Sequence, residues 1–118
     1  MNTIPSSLHS TYSRLDSIFE ACESSGASDI HIATGQPVWL RKDGKLSPLG
    51  ESTLDYQLVN SIAALLAANV FRLNEGDPVA ITMAALQERG SIDGAFSSSR
   101  GARYRFNIFM DGLGTALA

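Results

Sequence analysis

The segment Ala102–Met110 constrains this chain more than any other. Nine residues alternate without a break, with Ala102, Tyr104, Phe106, Ile108 and Met110 on one side and Arg103, Arg105, Asn107 and Phe109 on the other. Successive side chains of a strand point to opposite faces, so a period of two specifies β-structure and not a helix. One face is core-like; the other is basic and polar with an aromatic edge. The remainder of the chain must supply partner strands and a cover for the apolar face.

Partner strands are legible upstream. Ser28 to Ala33 alternates, with Ile30 and Ile32 pointing one way and Asp29 and His31 the other. After Gly35-Gln36-Pro37, the run Val38–Lys42 begins a second strand, and Asp43-Gly44 marks a two-residue hairpin because both residues tolerate positive φ. Lys45 to Leu49 is the returning strand, cut short by Pro48. Residues 91–97 form a weaker strand candidate, joined to Ala102–Met110 by the turn Ser98–Gly101.

Helices are marked by three- and four-residue spacing. Leu15, Ile18, Phe19 and Cys22 share one helical face, predicting a helix near residues 10–25 that Ser10 or Thr11 caps and Gly26 stops. Residues 1–9, with Pro5 and several hydroxyl side chains, read as a flexible N-terminal arm. Ser52-Thr53-Leu54-Asp55 resembles a capping box, followed by the stripe Leu58, Ile62, Leu65 and Leu66 through about Ala68. Asn74–Pro78 reads as a loop, and a shorter helix covers 81–89 with Met83 and Leu86 inward and Gly90 as its stop. The expected class is α+β: a mostly antiparallel sheet with helices packed on one face.

At 118 residues and 44% hydrophobic content the chain is long enough for one core without staples. Its single cysteine, Cys22, rules out an internal disulfide framework and suits a reducing compartment. On the apolar face of its helix that thiol is expected to act as a small inert hydrophobe. Nine basic against twelve acidic residues give a net charge of −3, which excludes a generally cationic nucleic-acid binder. The apolar run Ile62–Ala68 falls far short of the ~20 residues a spanning helix needs. No signal peptide is visible in Met1–Ser10, and a soluble cytosolic domain is expected.

Catalytic constellations are missing. The only Gly-Lys pair, Gly44-Lys45, is followed by Leu46 and preceded by Trp39 where a phosphate loop needs glycine, so it belongs to a hairpin. Gly112-x-Gly114 lacks the third glycine and the following helix of a dinucleotide site. His9, His31 and Cys22 have no pairing at metal-ligand spacing, and His31 is expected to be a sheet-surface residue hydrogen-bonded to a neighbour. No catalytic residue and no metal ligand is assigned.

One electrostatic feature stands out. Arg100, Arg103 and Arg105 place three of the nine basic residues within six positions. Arg103 and Arg105 share a strand face, from which their guanidinium forks can converge on a phosphate or carboxylate. The alternative, commoner on sheet faces, pairs them with acids such as Asp93 or Asp29 across the sheet.

Two motifs resemble a known family. Ser28-Asp29-Ile30-His31-Ile32, the following Gly35-Gln36-Pro37 and then Arg41-Lys42-Asp43-Gly44-Lys45-Leu46 resemble the first signature of type II/IV secretion and type IV pilus traffic ATPases. Gly101-Ala102-Arg103-Tyr104-Arg105-Phe106-Asn107-Ile108-Phe109 resembles their arginine-bearing strand, and the Gly-x-Pro looks closest to the retraction, PilT-like branch. Together the motifs span most of the chain. Two departures are visible: Met110–Gly114 has no arginine where many retraction-type members carry one, and Gly94 stands where the family commonly has an apolar residue.

The resemblance implies a PAS-like N-terminal domain over residues 10–118, followed in the family by a RecA-like ATPase domain with the phosphate loop. ATP and Mg would be bound mainly by that second domain. The implied partners are the chain's own C-terminal ATPase domain, neighbouring subunits of a homohexamer and an inner-membrane pilus or secretion platform, at a cytoplasmic location and with no nucleic acid. Carried over by position, Arg103, Arg105 and Arg41 are implied to face nucleotide phosphates or the interdomain interface. Asp29 and His31 match the first motif in an interface or structural role. Two further readings stay open: a naturally short protein whose last strand is its end, and a free-standing PAS-like module that binds a small ligand or protein, with Trp39–Leu40 and the apolar strand face lining its pocket.

Overall fold

The computed structural model describes residues 4, 6–68, 70, 76–111 and 114–117. A turn of 3-10 helix, Ser6–Leu8, leads into helix α1 (His9–Ser25). Strands β1 (Asp29–Ala33), β2 (Val38–Lys42) and β3 (Lys45–Leu49) follow, then helices α2 (Tyr56–Ala67) and α3 (Pro78–Arg89), then β4 (Ser91–Ser97), β5 (Arg103–Asp111) and β6 (Gly114–Leu117). The six strands form one sheet in the order β3-β2-β1-β6-β5-β4, with every neighbouring pair antiparallel. The expected α+β architecture, an antiparallel sheet covered by helices on one face, is what the chain adopts.

Local chemistry explains most boundaries. Gly26 takes the left-handed conformation (φ 74°) and returns its amide to Cys22 and Glu23, ending α1. Asp43 (φ 52°) and Gly44 (φ 78°) close the β2–β3 hairpin, with Lys42 opposite Lys45. Pro48 does not end β3, because β3 is an edge strand with an unpaired side where a missing N–H goes unnoticed.

Several expectations need correction. Neither Ser10 nor Thr11 caps α1; its first turn grows out of the 3-10 turn, and Leu8 is buried in the core. Residues 1–3 and 5 of the expected arm lie outside the described residues. Asp55, not Ser52, caps α2, its carboxylate accepting from the Leu58 amide at 2.8 Å. Helix α3 starts three residues early because Asp77 caps it and Pro78 fills its first position, where a missing N–H costs nothing. Asn74 and Glu75 of the expected loop lie outside the described residues. The segment Gly114–Leu117 was not expected as a strand, yet β6 joins the two halves of the sheet.

Helix α2 sits at the centre of the cover. Val59 and all six residues Ile62–Ala67 are buried, so it is apolar around its circumference rather than along one stripe. It packs on α1, α3, β4 and β6. Beneath the helices the sheet contributes Ile32, Val38, Leu40, Ile92, Phe96, Phe106 and Ile108, all buried. Phe19 lies over Phe96 (centroids 6.1 Å) and stacks on Tyr104 at 4.1 Å. Gly94 has a direct reason: a Cβ there would stand 2.5 Å from Phe106 Cζ and 2.8 Å from Val70 Cγ2. Where an apolar side chain would sit, the ring of Phe106 crosses the strand instead.

Candidate functional site

The alternation of β5 sends Phe106 and Ile108 into the core, and Arg103 and Arg105 onto the opposite, uncovered face. Pairing with β4 puts Ser97 across from Arg103 and Ala95 across from Arg105. Both neighbours are small and uncharged. Neither arginine makes an ion pair or side-chain hydrogen bond with a described residue, so the cross-sheet pairing with Asp93 or Asp29 is not formed. Those acids have other partners. Asp93 accepts from Asn107 Nδ2, and Asp29 accepts from Ser28 Oγ at 2.7 Å and faces Arg41 at 3.8 Å.

Arg41 reaches the same face from β2, directly across from Asp29. The registers of β1 and β5 against β6 place Asp29 and Arg105 at equivalent heights. Arg41, Asp29 and Arg105 thus lie in one row across the sheet. Arg41 and Arg105 are separated by three strand spacings, roughly 14 Å. Arg103 lies one step further toward the same end. The face therefore presents three guanidinium groups, one weakly tied to a carboxylate that is half-exposed and two unengaged, a geometry suited to a polyanion or an acidic protein surface.

His31 and Trp39 face each other across β1 and β2 on this side of the sheet. The expected hydrogen bond of His31 is not seen at Nε2, which is buried and has no partner among the described residues. Leu40 points into the core and Trp39 away from it, so the two do not line a common pocket.

Arg100 belongs elsewhere. The turn after β4 points it at helix α1, where its Nε donates to Glu23 Oε1 at 2.9 Å and its Nη1 to Asp16 Oδ2 at 3.0 Å. The amide and hydroxyl of Ser99 add bonds to Asp16 at 2.9 and 2.6 Å, and Tyr104 donates its hydroxyl to Glu23 at 2.7 Å. Asp16 and Glu23 are two helical turns apart and so share a side of α1. Bonds from Arg100 and then Tyr104 hold the Glu23 carboxyl below its ordinary range. Burial would raise Asp16, but Ser99 and Arg100 outweigh it and lower it too. Burial and the Glu23 carboxylate push the Tyr104 hydroxyl well up, and the Glu23 and Asp16 bonds raise Arg100. This network clips the β4–β5 turn to α1. Nothing in the local spacing announced it, because its acids lie more than seventy residues upstream.

Cys22 is buried beside this network, with its Sγ 3.5 Å from the Ala27 carbonyl, and burial raises its pKa. It has the character of a packed, unreactive thiol. No described helix is long and apolar enough to cross a membrane.

No family model and no curated protein sequence matches the chain. Solved structures do. The fold is shared with the pilus retraction motor PilT, determined with bound ADP, at TM-score 0.68 and 24% identity over 86% of this chain. The ATPase DotB of Legionella pneumophila aligns with 99% of the chain at TM-score 0.69 and 21% identity. DotB of Yersinia pseudotuberculosis gives 0.68 and 19% over 89%. The chain spans between 27% and 30% of the length of those proteins. These likenesses establish the fold, that of a segment of PilT and DotB.

Proposed function

We propose that this chain is the N-terminal, nucleotide-contacting and oligomerisation module of a hexameric traffic ATPase that powers type IV pilus retraction or protein secretion. The reading is carried by one observation: a sheet with the fold of PilT and DotB segments bears Arg103 and Arg105 on its uncovered face with no partner among the described residues. Unpaired arginines that are not used by the fold are available for charge supplied from outside it. Arg103, Arg105 and Arg41 then meet nucleotide phosphates or an acidic face of an ATPase domain, adding positive charge where phosphoryl transfer builds negative charge. Asp29 orients Arg41, and His31 with Trp39 contributes to the same interface.

On this reading ATP and Mg are bound mainly by a RecA-like domain that follows this module, whose first turn includes Ser6–His9. The partners are that domain, neighbouring subunits of the ring and a membrane-embedded pilus or secretion platform, which places the machine at the cytoplasmic side of the inner membrane. The test is the parent gene and its product. A phosphate loop within the next hundred codons, ATP turnover by the whole protein and none by residues 1–118 are expected. A stop codon directly after Ala118 sinks the proposal.

A further inference from the structure

The segment that carries Arg103 and Arg105 is held from the helix side, at the end of the sheet where the β4–β5 ladder stops. Strand β4 is an edge strand, and its last residue, Ser97, pairs with Arg103, the first of β5. The ladder therefore ends where the arginines begin. The turn between the two strands is closed by its own backbone: the Ser98 amide donates to the Ala102 carbonyl at 2.8 Å, and the Gly101 amide to the Ser98 carbonyl at 3.0 Å. These bonds shape the turn but do not fix it against the rest of the molecule. Helix α1 does that.

We propose that Glu23 is a positioning residue for the uncovered face: one of its carboxylate oxygens holds Arg100, the other holds Tyr104, and together they set where Arg103 and Arg105 stand. The inference deepens, and rests on, the reading of that face as the surface that meets nucleotide or the domain binding it.

Three observations carry it. First, Glu23 Oε1 accepts from Arg100 Nε at 2.9 Å while Oε2 accepts from the Tyr104 hydroxyl at 2.7 Å. A single carboxylate thus ties down both ends of the stretch 100–104, which includes Arg103. Second, Tyr104 lies between the two arginines in sequence, one peptide unit from each. Because β5 alternates, its side chain points toward α1 and theirs to the opposite face. Its ring stacks on Phe19 with centroids 4.1 Å apart and planes 11° from parallel, so packing fixes it as well as hydrogen bonding. Third, Asp16 grips the same turn from two helical turns earlier, accepting from Arg100 Nη1 at 3.0 Å and from the Ser99 amide at 2.9 Å. Two grips roughly 10 Å apart along α1 fix the direction of the turn as well as its distance.

The consequence for the arginines follows from their lack of partners. Neither Arg103 nor Arg105 is held at its guanidinium by a described residue, so the fold places both through the backbone from which they project. A charge aimed at a phosphate or a carboxylate is sensitive to that placement: a shift of about 1 Å can cost on the order of a hundredfold in rate. Releasing Glu23 frees the Arg100 side of the turn and the Tyr104 side of the strand together. Arg100 thereby serves the same face as its two neighbours in sequence, although it never reaches it.

Single-turnover ATP hydrolysis by the whole protein tests this, because it also reads slow variants. Circular dichroism and thermal midpoints on the same samples establish that each variant is folded. Glu23→Ala is expected to slow turnover by about tenfold. Tyr104→Phe keeps the ring on Phe19, removes only the hydroxyl, and is expected to slow it by about threefold. Native turnover in either folded variant overturns the proposal. A double-mutant cycle separates positioning from mere stabilisation. In a protein that already carries Arg103→Ala and Arg105→Ala, adding Glu23→Ala is expected to change turnover by less than about twofold. A further loss of about tenfold there means that Glu23 acts through something other than the arginines, which overturns the proposal and leaves the reading of the face intact. Native turnover in the protein carrying Arg103→Ala and Arg105→Ala alone removes that reading, and the positioning role with it.

Discussion

The helix-covered face of the sheet and its uncovered face are built from alternate residues of the same strands, yet they are stabilised in different ways. On the covered side Phe96, Phe106, Ile108 and Ile32 pack under α1 and α2 in one buried cluster. On the other side Arg103, Arg105 and Arg41 stand above small or weakly paired neighbours. The difference appears within six residues of sequence. Arg100 is held by two carboxylates of α1 and belongs to the fold, whereas Arg103 and Arg105 are held by nothing described and belong to whatever meets the sheet. A cluster of like residues in sequence is not a cluster in function: a turn can divide it.

Substitutions can break or sharpen that contrast. The largest effect is expected at Phe96, fully buried against Phe19 and Tyr12, where Phe96→Ala should lower unfolding free energy by about 3–5 kcal/mol in urea titration. A loss under 1 kcal/mol would mean that the covered face is not the tight core described. Next is Gly94→Ala, whose methyl group would collide with Phe106; the expected loss is about 1–3 kcal/mol. A neutral result would show that Phe106 moves aside freely.

Arg100→Ala should lower the thermal midpoint more than Arg103→Ala or Arg105→Ala. It should also flatten the acid limb of the stability profile. Asp16 and Glu23 are held below their unfolded pKa values, so the stability they contribute is fully present above the ordinary carboxylate range. It is lost as pH falls through their lowered folded values. Urea midpoints at pH 7 and pH 3 should differ more in the native protein than in Arg100→Ala. Equal differences would show that the clip does not couple to protons. The smallest change is expected on the uncovered face: Arg103→Ala and Arg105→Ala should each stay within about 0.5 kcal/mol of the native stability.

Much of this architecture is legible in the residues. The alternation of Ala102–Met110, the Asp43-Gly44 turn and the Leu15–Cys22 spacing each encode a local geometry that tertiary structure keeps. Other features depend on partners distant in the chain. Gly114–Leu117 is too short to announce a strand; β1 and β5 make it one by offering it two edges. Asp77-Pro78 carries loop chemistry and helix-start chemistry equally, and packing of Thr82 and Leu86 decides for the helix. Met110 follows the apolar alternation but is exposed. For the site, spacing put Arg103 and Arg105 on one face but could not tell that Asp93 and Asp29 are engaged by Asn107, Ser28 and Arg41.

The most direct test is steady-state ATP turnover by the whole protein carrying Arg103→Ala or Arg105→Ala, with circular dichroism and thermal midpoint measured on the same samples. If the uncovered face meets nucleotide or the domain that binds it, turnover falls by about tenfold or more in at least one variant while both stay folded at native stability. Native turnover in both variants would contradict the account and reduce the two arginines to solvated surface.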